Sequence, residues 1–241
     1  MVARMANLTQ RIKRRLRRAF KPAKAAAKPA KAELRPTIDR SAWADAAQNG
    51  ELDFHKRHNF RAEEKVWREC VVRDWKILGL EPTGWEGKFI VDVGAGSRLR
   101  SLYFEGAQLA VLEPLADRYM SEVEWHDLDK ADEVYSLPAE QFIPELEARA
   151  DFIVSINALD HGFNFEQGIQ NIRKYLKPDG TALLSFDMHD VPDSMHPLVL
   201  NDEIVRKIFE SAGFEIERSE PGRRYHGAEG PGAIHYWLRP V

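Results

Sequence analysis

Apolar residues in this chain recur in short, dense runs separated by longer segments with a spacing near four. The runs "KFIVDVG" (88–94), "LAVLEP" (109–114), "EVYSL" (133–137), "DFIVSI" (151–156) and "TALLSF" (181–186) are rich in Val, Ile, Leu and Phe. Runs of that length, apolar on consecutive positions, predict strands buried on both faces. Helical spacing fills the gaps: "AEEKVWRECVVRDWKILGL" (62–80), "PAEQFIPELEARA" (138–150), "FEQGIQNIRKYL" (165–176) and "NDEIVRKIFESAGF" (201–214). The last begins at a good capping residue, Asn201, and ends near Gly213. Alternating strands and helices predict a parallel sheet covered on both faces. "FEIERSE" and "AIHYWLRPV" then follow with only a Gly/Pro-rich turn between them, which predicts an antiparallel pair at the end. The expected architecture is α/β: a Rossmann-like, doubly wound, three-layer α/β/α sheet, mostly parallel with an antiparallel last strand.

The first forty residues have a different texture. In "LTQRIKRRLRRAF", Leu8, Ile12, Leu16 and Phe20 make a narrow helical stripe between basic flanks, and a Lys/Ala/Pro run follows. Residues 1–40 carry 13 Lys and Arg against 2 acidic residues, whereas residues 41–241 carry 22 against 36. The chain thus joins a basic amphipathic helix and linker (1–40) to an acidic domain (41–241) whose N-terminal helical cover spans about 51–80. The basic segment reads as a solvated tail, an organellar transit peptide, or a helix lying on an anionic membrane through residues 8–31. No run is long and apolar enough for a spanning helix. The lone Cys70 excludes an internal disulfide and a Cys-rich zinc site. A cytoplasmic protein, peripheral at the inner membrane surface, is the expectation.

Chemistry is expected at the carboxyl ends of the strands. "VDVGAGSRLR" places Gly94 and Gly96 after the first strand, where a tight turn lets the backbone approach a ligand. Leu99 occupies the third glycine position of a dinucleotide fingerprint. Asp92 is a poor strand residue in need of a polar partner, and Glu113 ends the second strand, placed to accept hydrogen bonds from ribose hydroxyls. Asn157, Asp160 and His161 follow the fourth strand in "SINALDHGFN", and the fifth delivers "SFDMHDVPDSMHP", with Asp187, His189, Asp190, Asp193 and His196. Asp160 reads as a helix cap or a ligand. His161 reads as a packed side chain, a general base or a metal ligand, since its ordinary pKa of about 6.5 suits either chemistry. His55, Arg57, His58 and Arg61 precede the core and would suit an anionic or polyhydroxylated acceptor, or a solvated helix start.

"FIVDVGAGS", "LAVLEP", "DFIVSINALDH", "YLKPDGTALLS" and "AGFEIERSE", in this order over about residues 60–240, resemble the class I S-adenosylmethionine-dependent methyltransferases. The resemblance implies that S-adenosyl-L-methionine is the cofactor. Asp92, Gly94, Ala95 and Gly96 would cradle its methionine and ribose. Glu113 would hold the ribose hydroxyls, Ala139 and Glu140 the adenine edge, and Asn157 would face the reactive end. Two features depart from the family: Pro138 stands where an acid is common, and the segment after Gly96 is short, implying a truncated first helix. The Asn157, Asp160, His161 spacing also resembles the Glu-x-x-Glu-His metal site of some 2′-O- and ubiquinone-pathway methyltransferases. That likeness implies a site for Mg²⁺ or another divalent cation at Asp160, His161 and His189, weakened by an amide in place of the first carboxylate. The catalytic residues expected are His161, Asp160 and His189. "INALDH…LLSFDMH…HP" is loosely similar to methyltransferases of polysaccharide assembly, which favours O-methylation of a sugar, glycan or lipid-linked small molecule. The alternatives are an RNA methyltransferase gripping phosphates with its basic tail, and a non-catalytic nucleotide-binding or scaffold protein with this fold.

Overall fold

A computed structural model of the chain describes residues 36, 39–57, 63–222 and 232–241. The expected basic helix and linker, together with His58 and Arg61, lie outside the described residues.

Seven strands form one sheet in the order β3-β2-β1-β4-β5-β7-β6. They are β1 (Phe89–Val93), β2 (Gln108–Leu112), β3 (Glu133–Tyr135), β4 (Ala150–Ile156), β5 (Leu176–Asp187), β6 (Phe214–Pro221) and β7 (Ala233–Pro240). β1 to β5 pair in parallel, and β7 runs antiparallel to both β5 and β6. The order reverses between β1 and β4, which opens a crevice at their carboxyl ends.

Period-two alternation explains why the runs are apolar throughout. Val91, Val93, Ile153, Ala182 and Leu184 point to one face, against α4 (Phe165–Tyr175) and α5 (Asp202–Ser211). Ile90, Val154 and Leu183 point to the other, against α1 (Arg40–Arg57), α2 (Glu64–Ile77) and α3 (Ala116–Glu122). Both faces are therefore dry. Asn164 caps α4 by accepting from Gln167 N at 3.1 Å, and Asn201 caps α5 by accepting from Ile204 N at 2.9 Å. Each cap contributes about 1 kcal/mol.

Several expectations need correction. The helix expected over 138–150 is a chain of turns with one 3-10 turn, Pro144–Leu146. Pro144 lacks the N–H a helix needs, and it holds Ile143 extended, at φ −114° and ψ 104°. Two helices, Arg40–Arg57 and Glu64–Ile77, occupy the stretch where a helical cover was expected at about 51–80. The helix after β1 is reduced to the 3-10 turn Arg100–Tyr103, in line with the short segment there. No helix among the described residues is long and apolar enough to cross a membrane.

Candidate cofactor and acceptor site

The loop after β1 turns at Gly94 and Gly96, both at φ +70°. Gly94 has no room for a side chain: a Cβ there would lie 2.1 Å from Ala158 Cβ, in the loop after β4. Glu113, at the end of β2, accepts from Gly96 N at 2.9 Å and from Leu115 N at 3.0 Å. Asp92 accepts from Ser101 Oγ at 2.6 Å. Both carboxyls are 5% exposed. Burial pushes Asp92 up to about 6 and Glu113 up to about 7, the latter raised further by the Asp92 charge.

These shifts set a pH dependence. A carboxyl whose folded pKa is raised stabilises the fold fully below its unfolded value and loses that contribution as pH rises through the folded one. For Asp92 the window runs from 3.8 to about 6. At pH 5 about 1 kcal/mol should remain, and at pH 8 none. Urea unfolding of the ligand-free protein should therefore show wild type losing about 1 kcal/mol more than Asp92→Asn between pH 5 and pH 8. Parallel pH profiles for the two proteins would contradict the assignment.

α1 closes over this loop. His55 Nδ1 lies 2.7 Å from Ser97 Oγ, and the His55 ring packs on Tyr119 at 4.6 Å between centroids. Arg57 instead ion-pairs with Asp53 on the exposed side of α1. The basic group before the core thus does not line a site as a set: His55 faces inward and Arg57 outward. Ala139 and Glu140 serve the approach to α4. Ala139 O accepts from Asn171 Nδ2 at 2.9 Å, and Glu140 Oε1 accepts from Asn164 N at 3.0 Å.

The second half of the site follows β4. Asn157 sits at φ +55°, an unusual conformation outside glycine that asparagine tolerates. Its N–H donates to Ser185 O at 2.6 Å, tying the turn to β5. Asp160 is fully buried in the 3-10 turn Leu159–His161. It is not the cap of the next helix, a place Asn164 holds. Asp160 Oδ2 lies 2.9 Å from His189 Nε2 and 3.9 Å from His196 Nε2. Burial alone would raise the Asp160 pKa, but His161, His189 and His196 together outweigh it and hold the group below the usual carboxylate range. The His196 ring stacks on His189 at 4.0 Å and lies against His161 at 4.4 Å. His161 Nδ1 lies 3.3 Å from Glu51 Oε1 of α1, and Trp43 Nε1 donates to His161 O at 3.1 Å.

Asp160, His161 and His189 are thus neighbours. The metal-ligating geometry, however, belongs to Asp160, His189 and His196, whose ligand atoms all lie within 4.8 Å of one another. His161 is not of that set, because its Nδ1 faces Glu51 instead. Sequence reasoning missed the parts played by His196 and by Glu51 and His55 of α1. For His196 a local signal exists: Asp193, three residues earlier, holds its Nδ1 with both carboxylate oxygens at 3.0 Å.

Comparison with known proteins bears on this arrangement. Residues 36–219 match the family described as "Methyltransferase domain". No curated protein matches the chain by sequence. Among solved structures, the Burkholderia thailandensis 1,6-didemethyltoxoflavin-N1-methyltransferase, which holds its substrate and S-adenosylhomocysteine, is 18% identical. It covers 84% of this chain and 87% of its own, with a TM-score of 0.53. A Leishmania major S-adenosylmethionine-dependent methyltransferase is 14% identical, covering 90% and 100%, with a TM-score of 0.54. The [4+2]-cyclase SpnF is 15% identical, covering 86% and 98%, with a TM-score of 0.59. At these identities the structural likeness concerns the fold; the family match spans most of the chain. The chain belongs to the methyltransferase domain family, as a class I S-adenosylmethionine-dependent methyltransferase.

Proposed function

We propose that the enzyme methylates a hydroxyl group of a small molecule, a sugar or a lipid-linked glycan intermediate. The observation that carries this reading is the imidazole of His161, held at the end of β4 with Nδ1 facing the Glu51 carboxylate 3.3 Å away. The Glu51 carboxylate beside the ring would stabilise the imidazolium formed when His161 takes a proton. A hydroxyl needs that help, being a weak nucleophile at neutral pH.

The residues of the glycine loop fit the cofactor. Gly94 and Gly96 present backbone rather than side chain to the crevice. Asp92 and Glu113 are buried carboxyls with raised pKa values, a pair that a cationic ligand would favour in ionised form. When bound, S-adenosylmethionine supplies an activated methyl carbon. Glu113, while holding the Gly96 and Leu115 amides, would also accept from the ribose hydroxyls, and Asp92 would hold the amino-acid end with the loop. Asn157 would face the reactive end. His161 would take the acceptor's proton while the surrounding loops keep bulk water out.

The acidic balance of residues 41–241 disfavours a polyanionic acceptor such as RNA at this edge. Calorimetry with S-adenosylhomocysteine tests the cofactor half. Binding is expected in wild type, weakened about 10–100-fold in Glu113→Ala through loss of charge-assisted hydrogen bonds. No binding, or binding unchanged in Glu113→Ala, would overturn the reading. Transfer of labelled methyl groups onto hydroxylated glycans and their amino analogues tests the acceptor half, since methylation only of the amines would exclude hydroxyl transfer.

A further inference from the structure

We propose that Asp160, His189 and His196 bind a single divalent transition-metal ion of the zinc class. The argument starts from two buried atoms: Asp160 Oδ1 and His196 Nε2 have no hydrogen-bond partner among the described residues. A buried polar atom left unpaired costs about 1–3 kcal/mol, so two in one cluster need a physical reason. Asp193 supplies it for the histidine. With both carboxylate oxygens 3.0 Å from His196 Nδ1, the ring proton sits on Nδ1, and the Nε2 lone pair faces the Asp160 carboxylate 3.9 Å away. A lone pair directed at a buried carboxylate is unfavourable unless a positive charge lies between them. A cation bound there gives His196 Nε2 and the Asp160 carboxylate a common partner.

The geometry suits a small ion. Ligand atoms at about 2.0–2.1 Å from tetrahedral zinc lie about 3.3 Å apart. The separations of 2.9 Å (His189 Nε2 to Asp160 Oδ2) and 3.9 Å (His196 Nε2 to Asp160 Oδ2) bracket that value. Two imidazoles and one carboxylate favour zinc, cobalt, nickel or iron(II) over magnesium and calcium, which prefer all-oxygen shells. The Asp193–His196 pair is the carboxylate–histidine arrangement that orients metal-ligating imidazoles. The backbone pairing of His189 with Leu200, 2.9 Å in each direction, fixes the main chain that carries the second imidazole. Three protein ligands leave a coordination position for water. That this position would also take an acceptor hydroxyl rests on the function proposed above; metal binding itself does not.

The probe is Co²⁺ added to the chelator-stripped full-length protein, followed by visible absorption and elemental analysis. One equivalent and a d–d band are expected. His196→Ala should abolish the band. Asp193→Asn, which alters a half-exposed partner and spares the fold, should weaken affinity about 10–100-fold. His126→Ala, at a partly buried histidine outside this cluster, should leave the Co²⁺ band unchanged. No Co²⁺ band in wild type would overturn the proposal in favour of a proton in the cluster, and so would affinity retained in both His196→Ala and Asp193→Asn. S-adenosylhomocysteine calorimetry on the same samples separates the two readings. Cofactor binding without Co²⁺ uptake removes only the metal, and Co²⁺ uptake without cofactor binding removes only the methyl-transfer assignment.

Discussion

Replacing Gly94 with alanine is expected to destabilise the protein by about 2–5 kcal/mol and to abolish S-adenosylhomocysteine binding. Two separate costs add. A non-glycine residue held at φ +70° costs on the order of 1–3 kcal/mol. The new Cβ would also stand 2.1 Å from Ala158 Cβ, so the loops after β1 and β4 would have to separate by roughly 1 Å. That separation occurs where β1 and β4 part, at the crevice itself. The second substitution Ala158→Gly tests the account, since it removes the collision but not the backbone strain. The double variant should recover about half of the lost stability. Urea unfolding measures the first effect and calorimetry the second. Gly94→Ala within 1 kcal/mol of wild type, an interval smaller than either cost alone, would show that the loop is looser than the contact implies.

The second large effect is expected at His161. His161→Ala should lower kcat by about 10²–10⁴-fold with cofactor affinity unchanged, the range usual for loss of a positioned general base. Structural damage is a weaker explanation here than at most buried positions. Trp43 bonds to the backbone oxygen of His161, so the tether from α1 survives removal of the ring. A merely structural role would also leave the pH profile of kcat in place, whereas loss of a base should remove its acidic limb. Near-normal turnover of His161→Ala on an acceptor hydroxyl would end the assignment.

The sheet was legible because β1, β2, β4 and β5 are buried on both faces, which compresses their apolar residues into unmistakable runs. α4 and α5 were legible because Asn164 and Asn201 mark their starts and their apolar stripes are strong. Residues 138–150 misled because their periodicity is helical while Pro144 forbids the helix; there backbone chemistry overrides pattern. The start of α1, ahead of the cover expected from about residue 51, escaped because the helix buries only Ala47, Leu52 and His55, too few for a stripe. The turn at Gly94 and Gly96 and the place of Glu113 after β2 could be read because glycines and an acid interrupt the apolar runs. His196 could not be assigned its part, because its approach to Asp160 depends on how the segment after β5 folds back. Glu51 and His55 reach the site only through the docking of α1, and nothing local to that helix announces the contact.

α1 touches the crevice at both ends, through His55 at the glycine loop and Glu51 at His161. The two halves of the proposed site therefore share one mechanical part. A substitution that tilts α1 moves Glu51 and His55 together, so on the roles proposed for the glycine loop and His161 its effects on cofactor binding and turnover will be correlated.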